Sequence, residues 1–354
     1  MTTCFTADNL TPACLHRQRQ RLCVLSSILC STVFFSLFSS STRADFQPFE
    51  IRDQNLLNLI HGQPLPTDAR LVAKSTGRWS SGLIITNTTN IQNSDNPNQV
   101  SEDIYLDYEA WRFNLSYQHG LKDDWNLRID IPIVYQSGGI FDSSIDNWHQ
   151  FFGLPRGQRS SVAHNQYLIQ YEIDSSSRID LGESSTSLGD IQLAAAHTLI
   201  DSDATQLSLW ANLKLPTGNV DKLTSSGSSD ISAWLAMNHR LHSKWLLNLN
   251  GGTIILGDDD YKNIPLSDYA LFGHATLGWL LTDKFSLKAQ LQGHSSYYDS
   301  SRLEILGDTY LLTLGTSIKI DRCQHLDFAF TEDIKVDSSP DISLLINWRG
   351  QTSC

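Results

Sequence analysis

Two groups of residues in this chain could do chemistry. The first is a short aromatic and basic run. Phe141, Ile145, Trp148 and Phe152 recur at spacings of four, three and four, which puts them on one face of a short helix. Phe152-Gly153-Leu154-Pro155-Arg156-Gly157-Gln158-Arg159 follows, where Gly and Pro punctuate a loop and two arginines could grip an anionic group. His149 and His164 flank the loop. Trp148, His149, Phe152, Arg156 and Arg159 are therefore candidate ligand contacts, at a gate or lip. The plainer reading is a folded capping loop whose aromatics pack and whose arginines pair with Asp142 or Asp146.

The second group is spread along the chain. Arg128, Asp130, Asp190, Lys214, Asp230, His274, Lys288 and His294 sit at polar positions of segments that alternate with period two. A strand puts alternate residues on opposite faces, so these charges share one surface. Mixed charges suit either a polar channel or a salt-bridged plug. No catalytic set emerges. His239 and His294 have serines nearby, but neither comes with an orienting third residue. No phosphate loop, dinucleotide turn or zinc-protease motif is present, and no Cys/His spacing suits a metal. The expectation is a non-enzyme without cofactor or metal.

The elements that carry these residues are strands. In Phe285–Tyr297, Phe285, Leu287, Ala289, Leu291 and Tyr297 alternate with Ser286, Lys288, Gln290, Gln292 and His294. Aromatics bracket the apolar stretch, as where a strand meets both interfaces of a bilayer. This places Phe285 at one girdle and Tyr297 at the other. Trp125–Gln136, Gln206–Leu215, Trp245–Ile255, Tyr269–Trp279 and Tyr310–Ile320 behave alike. In Ile104–Tyr117 the apolar phase shifts between Tyr108 and Trp111, which predicts a β-bulge near Glu109-Ala110. Trp210 and Trp234 fall on the inner side, which requires a filled lumen.

Short turns (121–124, 201–204, 242–244, 282–284, 321–324) alternate with longer linkers rich in Ser, Asp, Asn and Gly. Short turns on one side and long loops on the other are the outer-membrane pattern. Parity requires 166–173 to leave the wall as part of an outer hairpin, with Leu188–Ile200 running back. The predicted fold is thus an all-β antiparallel transmembrane barrel of about twelve strands over 78–348, with an outer insertion at 137–187 and a tail at 349–354.

Residues 1–44 read as a cleaved signal peptide, with basic His16, Arg17, Arg19 and Arg21, an apolar stretch Leu22–Phe38, and Thr42-Arg43-Ala44 as a small-x-small site. The apolar stretch is shorter than the ~20 residues of a spanning helix. The segment 45–77 would lie at the periplasmic end, either as a tail under the barrel or as a lumen plug, because Leu56, Leu57, Leu59 and Ile60 need burial. The formal charge is -12, and the leader's four arginines against Asp8 make the remainder more acidic still, which argues against nucleic acid. The expected surroundings are outer-membrane lipid, lipopolysaccharide and the barrel-assembly machinery, with a small solute as ligand. Cys323 and Cys354, the two cysteines outside the leader, could form a disulfide in an oxidising compartment.

Several short stretches resemble a bacterial family catalogued as domain of unknown function 3187 and predicted to form outer-membrane barrels. They are Arg52-Asp53-Gln54-Asn55, Asp107-x-Glu109, Ile131-Pro132 before Ser137-Gly138-Gly139, and His149 with Phe152-Gly153-Leu154-Pro155 and Arg159. Leu188-Gly189-Asp190 and Leu215-Pro216-Thr217-Gly218 are also similar to strand–loop boundaries of other barrel families, including transporters of aromatic compounds. The resemblance implies a place and a shape, and no established activity. The long leader and the six residues after Trp348 depart from the pattern. Together these readings point to a channel or binding barrel for a small solute, or else to a closed barrel that works through its outer loops. An outer-membrane lipid hydrolase is a third and weaker reading.

Overall fold

The computed structural model describes residues 46–94, 100–152, 162–299, 301–335 and 337–353. The leader therefore lies outside the described residues, as do Arg156 and Arg159. One compact unit spans Phe46–Cys354. Its elements run in chain order. A four-residue helix α1 (Leu56–Leu59) is followed by β1 (Gly77–Ser94), β2 (Glu102–Lys122), β3 (Trp125–Ser137) and helix α2 (Asp142–Phe152). Next come β4 (Leu168–Ile173), β5 (Ser176–Leu181), β6 (Ser185–Leu188), β7 (Ile191–Asp201), β8 (Thr205–Leu215), β9 (Ile231–His242) and β10 (Trp245–Ile255). The last are β11 (Asp260–Tyr261), β12 (Ile264–Pro265), β13 (Tyr269–Leu280), β14 (Phe285–His294), β15 (Thr309–Lys319), β16 (Gln324–Asp333) and β17 (Ile342–Gln351).

Every wall pairing is antiparallel, and β1 pairs with both β2 and β17, which closes a barrel of twelve strands. β6 and β7 share one wall position, because β6 pairs with the upper part of β3 and β7 with its lower part. Pro132, which has no N–H to donate, sits at the break between them, where its carbonyl accepts from Gly189. The β4–β5 hairpin is attached to the upper part of β2, above the wall.

The outer surface is apolar at alternate positions. Leu115, Leu127, Ile133, Leu193, Leu209, Leu277, Leu314 and Ile346 are all exposed. Tyr117, Trp125, Phe285 and Trp348 ring the turn end, and Tyr135, Tyr269 and Tyr310 ring the loop end. Exposed apolar bands between aromatic girdles belong to a barrel seated in a bilayer. The inner face is Ser, Thr, Asn, Gln and charged residues over much of its height.

Three sequence expectations are corrected. The β2 register runs unbroken past Glu109 and Ala110, so no bulge forms there. The phase change has another cause. At that height the interior is apolar, so Ile104, Leu106, Tyr108 and Ala110 face inward, while Asp107 and Glu109 on the outer face are covered. Tyr297 is not in the outer girdle. The strand ends at His294, and the chain turns inward, leaving Tyr297 fully buried with its hydroxyl donating to Gln63 Oε1 at 3.1 Å. Finally, β17 continues past Trp348 to Gln351, so Arg349 belongs to the wall, where its guanidinium meets Asp327 at 2.7 Å.

Candidate functional site: a plugged lumen

The lumen is occupied by the segment before β1. Gln63-Pro64-Leu65-Pro66 cannot join the sheet, because its prolines lack the N–H a ladder needs. The segment is therefore held by side chains. It rises along β14, turns at α1 near the loop end, and descends past β8, β9 and β10.

On the rising arm, Lys288 Nζ donates to the Gln47 carbonyl at 2.7 Å and lies 4.0 Å from the Phe49 ring centre. Phe49 N–H donates to Gln290 Oε1 at 2.9 Å. Glu50 receives Arg128 Nη2 at 2.9 Å, and Arg128 also clamps Asp130 at 2.8 Å. Higher up, Asp53 accepts from Asn58 Nδ2 at 2.6 Å and meets His294 Nε2 at 3.1 Å. Arg52 ties the arms together by donating to the carbonyls of Leu59, His61 and Gln63.

The apex is capped at its start by Asn55, whose side chain accepts from Leu57 N–H at 3.0 Å. Leu56, Leu57, Leu59 and Ile60 are buried in one cluster with Ile104, Leu106 and Tyr108 of β2, Ile169 and Tyr171 of β4, and Tyr298, Leu303 and Ile305 of the loop after β14. Tyr298 Oη donates to the Leu57 carbonyl at 2.6 Å. Outer loops thus form an apolar cap over the plug.

On the descending arm, Lys214 Nζ donates to the Ile60 carbonyl at 2.6 Å while lying 3.2 Å from Asp190 and 2.9 Å from Asp230. Gly62 is required here, since a Cβ would fall 2.7 Å from Asp230 Cβ. Thr67 N–H and hydroxyl both donate to Asn250 Oδ1 at 2.8 Å, and Trp234 Nε1 donates to Thr67 Oγ1 at 2.9 Å. Trp234 stacks on Trp210 at 5.6 Å. Val72 exchanges two hydrogen bonds with the Asn126 side chain.

His61 is buried between Tyr297 and Tyr298, with ring centres 4.7 and 5.5 Å away. Neither of its ring nitrogens has a hydrogen-bond partner among the described residues. Burial pushes its imidazole well below the usual value, and Lys214, His294 and Arg52 push the same way.

The structure therefore brings Arg128, Asp130, Lys214, Lys288 and His294 to the plug–wall interface. The side chains of Trp148, His149 and Phe152 lie outside the described residues, with Arg156 and Arg159. The start of their loop runs along the outside of the wall. Glu109 accepts from Ile140 and Phe141 N–H at 3.2 Å, which Gly139 permits through its φ of +75°, and Asn87 donates to Asp142 at 2.8 Å. Asp146 is held by His164 at 3.0 Å. His294 does not face a serine hydroxyl; its second nitrogen meets the Ser295 carbonyl at 2.9 Å. Cys323 is disulfide-bonded, and Cys354 lies outside the described residues. Sequence reasoning singles out neither Glu50 nor Thr67, and names Arg52 and Asp53 only within the stretch that carries the resemblance, though charges set among the apolar residues of 49–66 were a signal of partners on both sides.

A closed twelve-stranded antiparallel barrel with polar interior, girdled exterior and internal plug defines the class: a β-barrel of the outer-membrane type. The chain belongs to the family described as "Protein of unknown function (DUF3187)", whose model matches residues 24–350. No curated protein matches it. Among solved structures it is similar to the COG4313 outer membrane channel from Pseudomonas putida F1, at 13% identity and TM-score 0.54, covering 82% of this chain and 100% of that one. That likeness is one of fold. The NanC porin (7% identity, TM-score 0.45, covering 77% and 98%) and the P. putida toluene transporter TodX (8%, 0.39, covering 79% and 90%) match more loosely.

Proposed function

We propose that this protein is an outer-membrane channel for a small polar solute, gated by its own N-terminal segment. The observation that carries this reading is the chemistry of the plug arms. Below the apex they are extended and, beside one apolar patch where Phe49 and Ile51 pack with Ile84, Ala329 and Leu345, bound to the wall by many hydrogen bonds and ion pairs. Such contacts can be exchanged for water at small net cost, about 0.5–1.5 kcal/mol each. A wall lined with Ser, Thr, Asn and Gln would remain wettable once the segment left. The gate in this reading is the plug.

The second reading is a closed barrel that acts through its outer loops. The apolar cap over α1 favours it. Single-channel recording separates the two. A variant lacking residues 46–75, shown to be folded by heat-modifiable gel mobility, should conduct continuously, and the intact protein should open only in brief events. A folded variant that stays closed to ions and small sugars would sink the channel reading.

A further inference from the structure

We propose that the outer wall binds one anionic diacyl phospholipid of the periplasmic leaflet, with its acyl chains in a groove over β14 and β15 and its phosphate among basic turn residues. The groove has a volume of about 840 Å3 and lies on the lipid-facing side, in the half of the barrel nearest the short turns. Its relief follows from side-chain size. On one flank Trp245 of β10 and Trp279 of β13 are register partners, stacked with ring centres 5.4 Å apart. On the other flank Phe328 and Phe330 stand outward from β16. Between these ridges the register sets Leu287 against Thr316 and Ala289 against Leu314. Ala289 and Thr316 are short beside an indole or a phenyl ring. The Thr316 hydroxyl donates to the Ser286 carbonyl at 2.9 Å, so the floor asks for no polar group from its occupant.

Shape and charge choose the occupant. A two-fold dimer would set the same patch against itself, and two facing grooves would enclose a void instead of packing. Flexible acyl chains can fill the groove. Each of the three turns at its foot carries a basic residue, Lys244, Lys284 and Arg322. All three are exposed, and none is in an ion pair among the described residues. Asp283 and Asp321 share these turns, which leaves a balance of +1 (3 − 2). The two turns across the barrel, 123–124 and 202–204, carry Asp123, Asp124 and Asp203 and no basic residue, a balance of -3. In a chain of net charge -12 the foot of the groove is thus a local reversal of sign. Short turns lie on the periplasmic side of barrels of this type. Basic residues at a membrane surface attract anionic headgroups.

This site stands whether or not the lumen conducts, so its test reads lipid alone. The refolded full chain is placed in phosphatidylcholine vesicles with a small fraction of dibrominated phosphatidylglycerol or dibrominated phosphatidylcholine. Brominated chains quench indole fluorescence on contact. The signal from Trp245 and Trp279 is the part lost in the double variant Trp245→Phe, Trp279→Phe. It should show phosphatidylglycerol bound several-fold more tightly than phosphatidylcholine. The triple variant Lys244→Gln, Lys284→Gln, Arg322→Gln should remove that preference. Ala289→Phe, which fills the floor and leaves every charge in place, should remove it too; attraction to the surface charge alone would leave it unchanged. Equal quenching by the two lipids in the native chain, or a preference unchanged in either variant, would overturn the site. So would a dimer in detergent that Ala289→Phe dissociates, which would assign the groove to a second copy.

Discussion

Around Leu56–Ile60 the plug's side chains pack with Ile104, Leu106, Ile169, Tyr171 and Leu303, and polar groups reach only its backbone. Along Thr67–Val72 the same segment is held mainly by the side-chain amides of Asn248, Asn250, Asn238 and Asn126 and by an ion pair from Asp68 to Arg78 at 3.3 Å. One stretch of chain thus closes the lumen by two kinds of chemistry. Apolar contacts at the cap must be lost to water if it opens, at roughly 25 cal/mol per Å2. Amide contacts on the arm are exchanged for bonds to water. The arms should therefore loosen first, with the cap as the slow or final step.

The largest expected effect comes from the group that joins both regions. Lys214→Met leaves Asp190 and Asp230 buried without their cation and should cost about 3–5 kcal/mol in urea unfolding of the vesicle-embedded barrel. A loss under about 1 kcal/mol would show that cap and arms are not coupled through Lys214. Next, Leu57→Ala in the cap should cost about 2–4 kcal/mol by the same measurement.

Acid should act on the apex. His61 is held neutral when the plug is seated, because burial and the nearby Lys214, His294 and Arg52 disfavour its charged form. Its depressed value means that the displaced segment binds the proton first. Seating should thus weaken as pH falls below about 6.5, by at most about 1.4 kcal/mol per pH unit. Unfolding midpoints at pH 7.5 and 5.5 would read this, and His61→Gln should flatten the slope; an equal slope in that variant would exclude His61.

The smallest effect should be on the arm. Asn250→Ala removes the acceptor for Thr67 and should cost about 1 kcal/mol. If it costs more than Leu57→Ala, the ranking of cap over arm is reversed.

The wall was legible in the sequence because lipid on one side and polar contacts on the other enforce a period of two, as in Phe285–His294. Arg128, Lys214 and Lys288 could be assigned to the interior from that period alone. The plug's course was not legible, because an extended, proline-containing segment has no period, and its partners lie up to 241 residues away, as with Phe49 and Gln290. Tyr108 and Tyr297 misled for a related reason. They belong to an interior that turns apolar only near the apex, and no local pattern reports on that height.

Composition and alternation alone determined a membrane barrel, its even number of strands and the side on which most wall residues lie. Only the tertiary structure decided that the lumen is filled, that the cap is the more apolar part of the plug, and which distant side chains hold its arms. Strand periodicity is dictated locally by the pleat and by the two solvents on either side of it. The packing of a segment inside a closed ring depends on which distant side chains the closure brings to the same height.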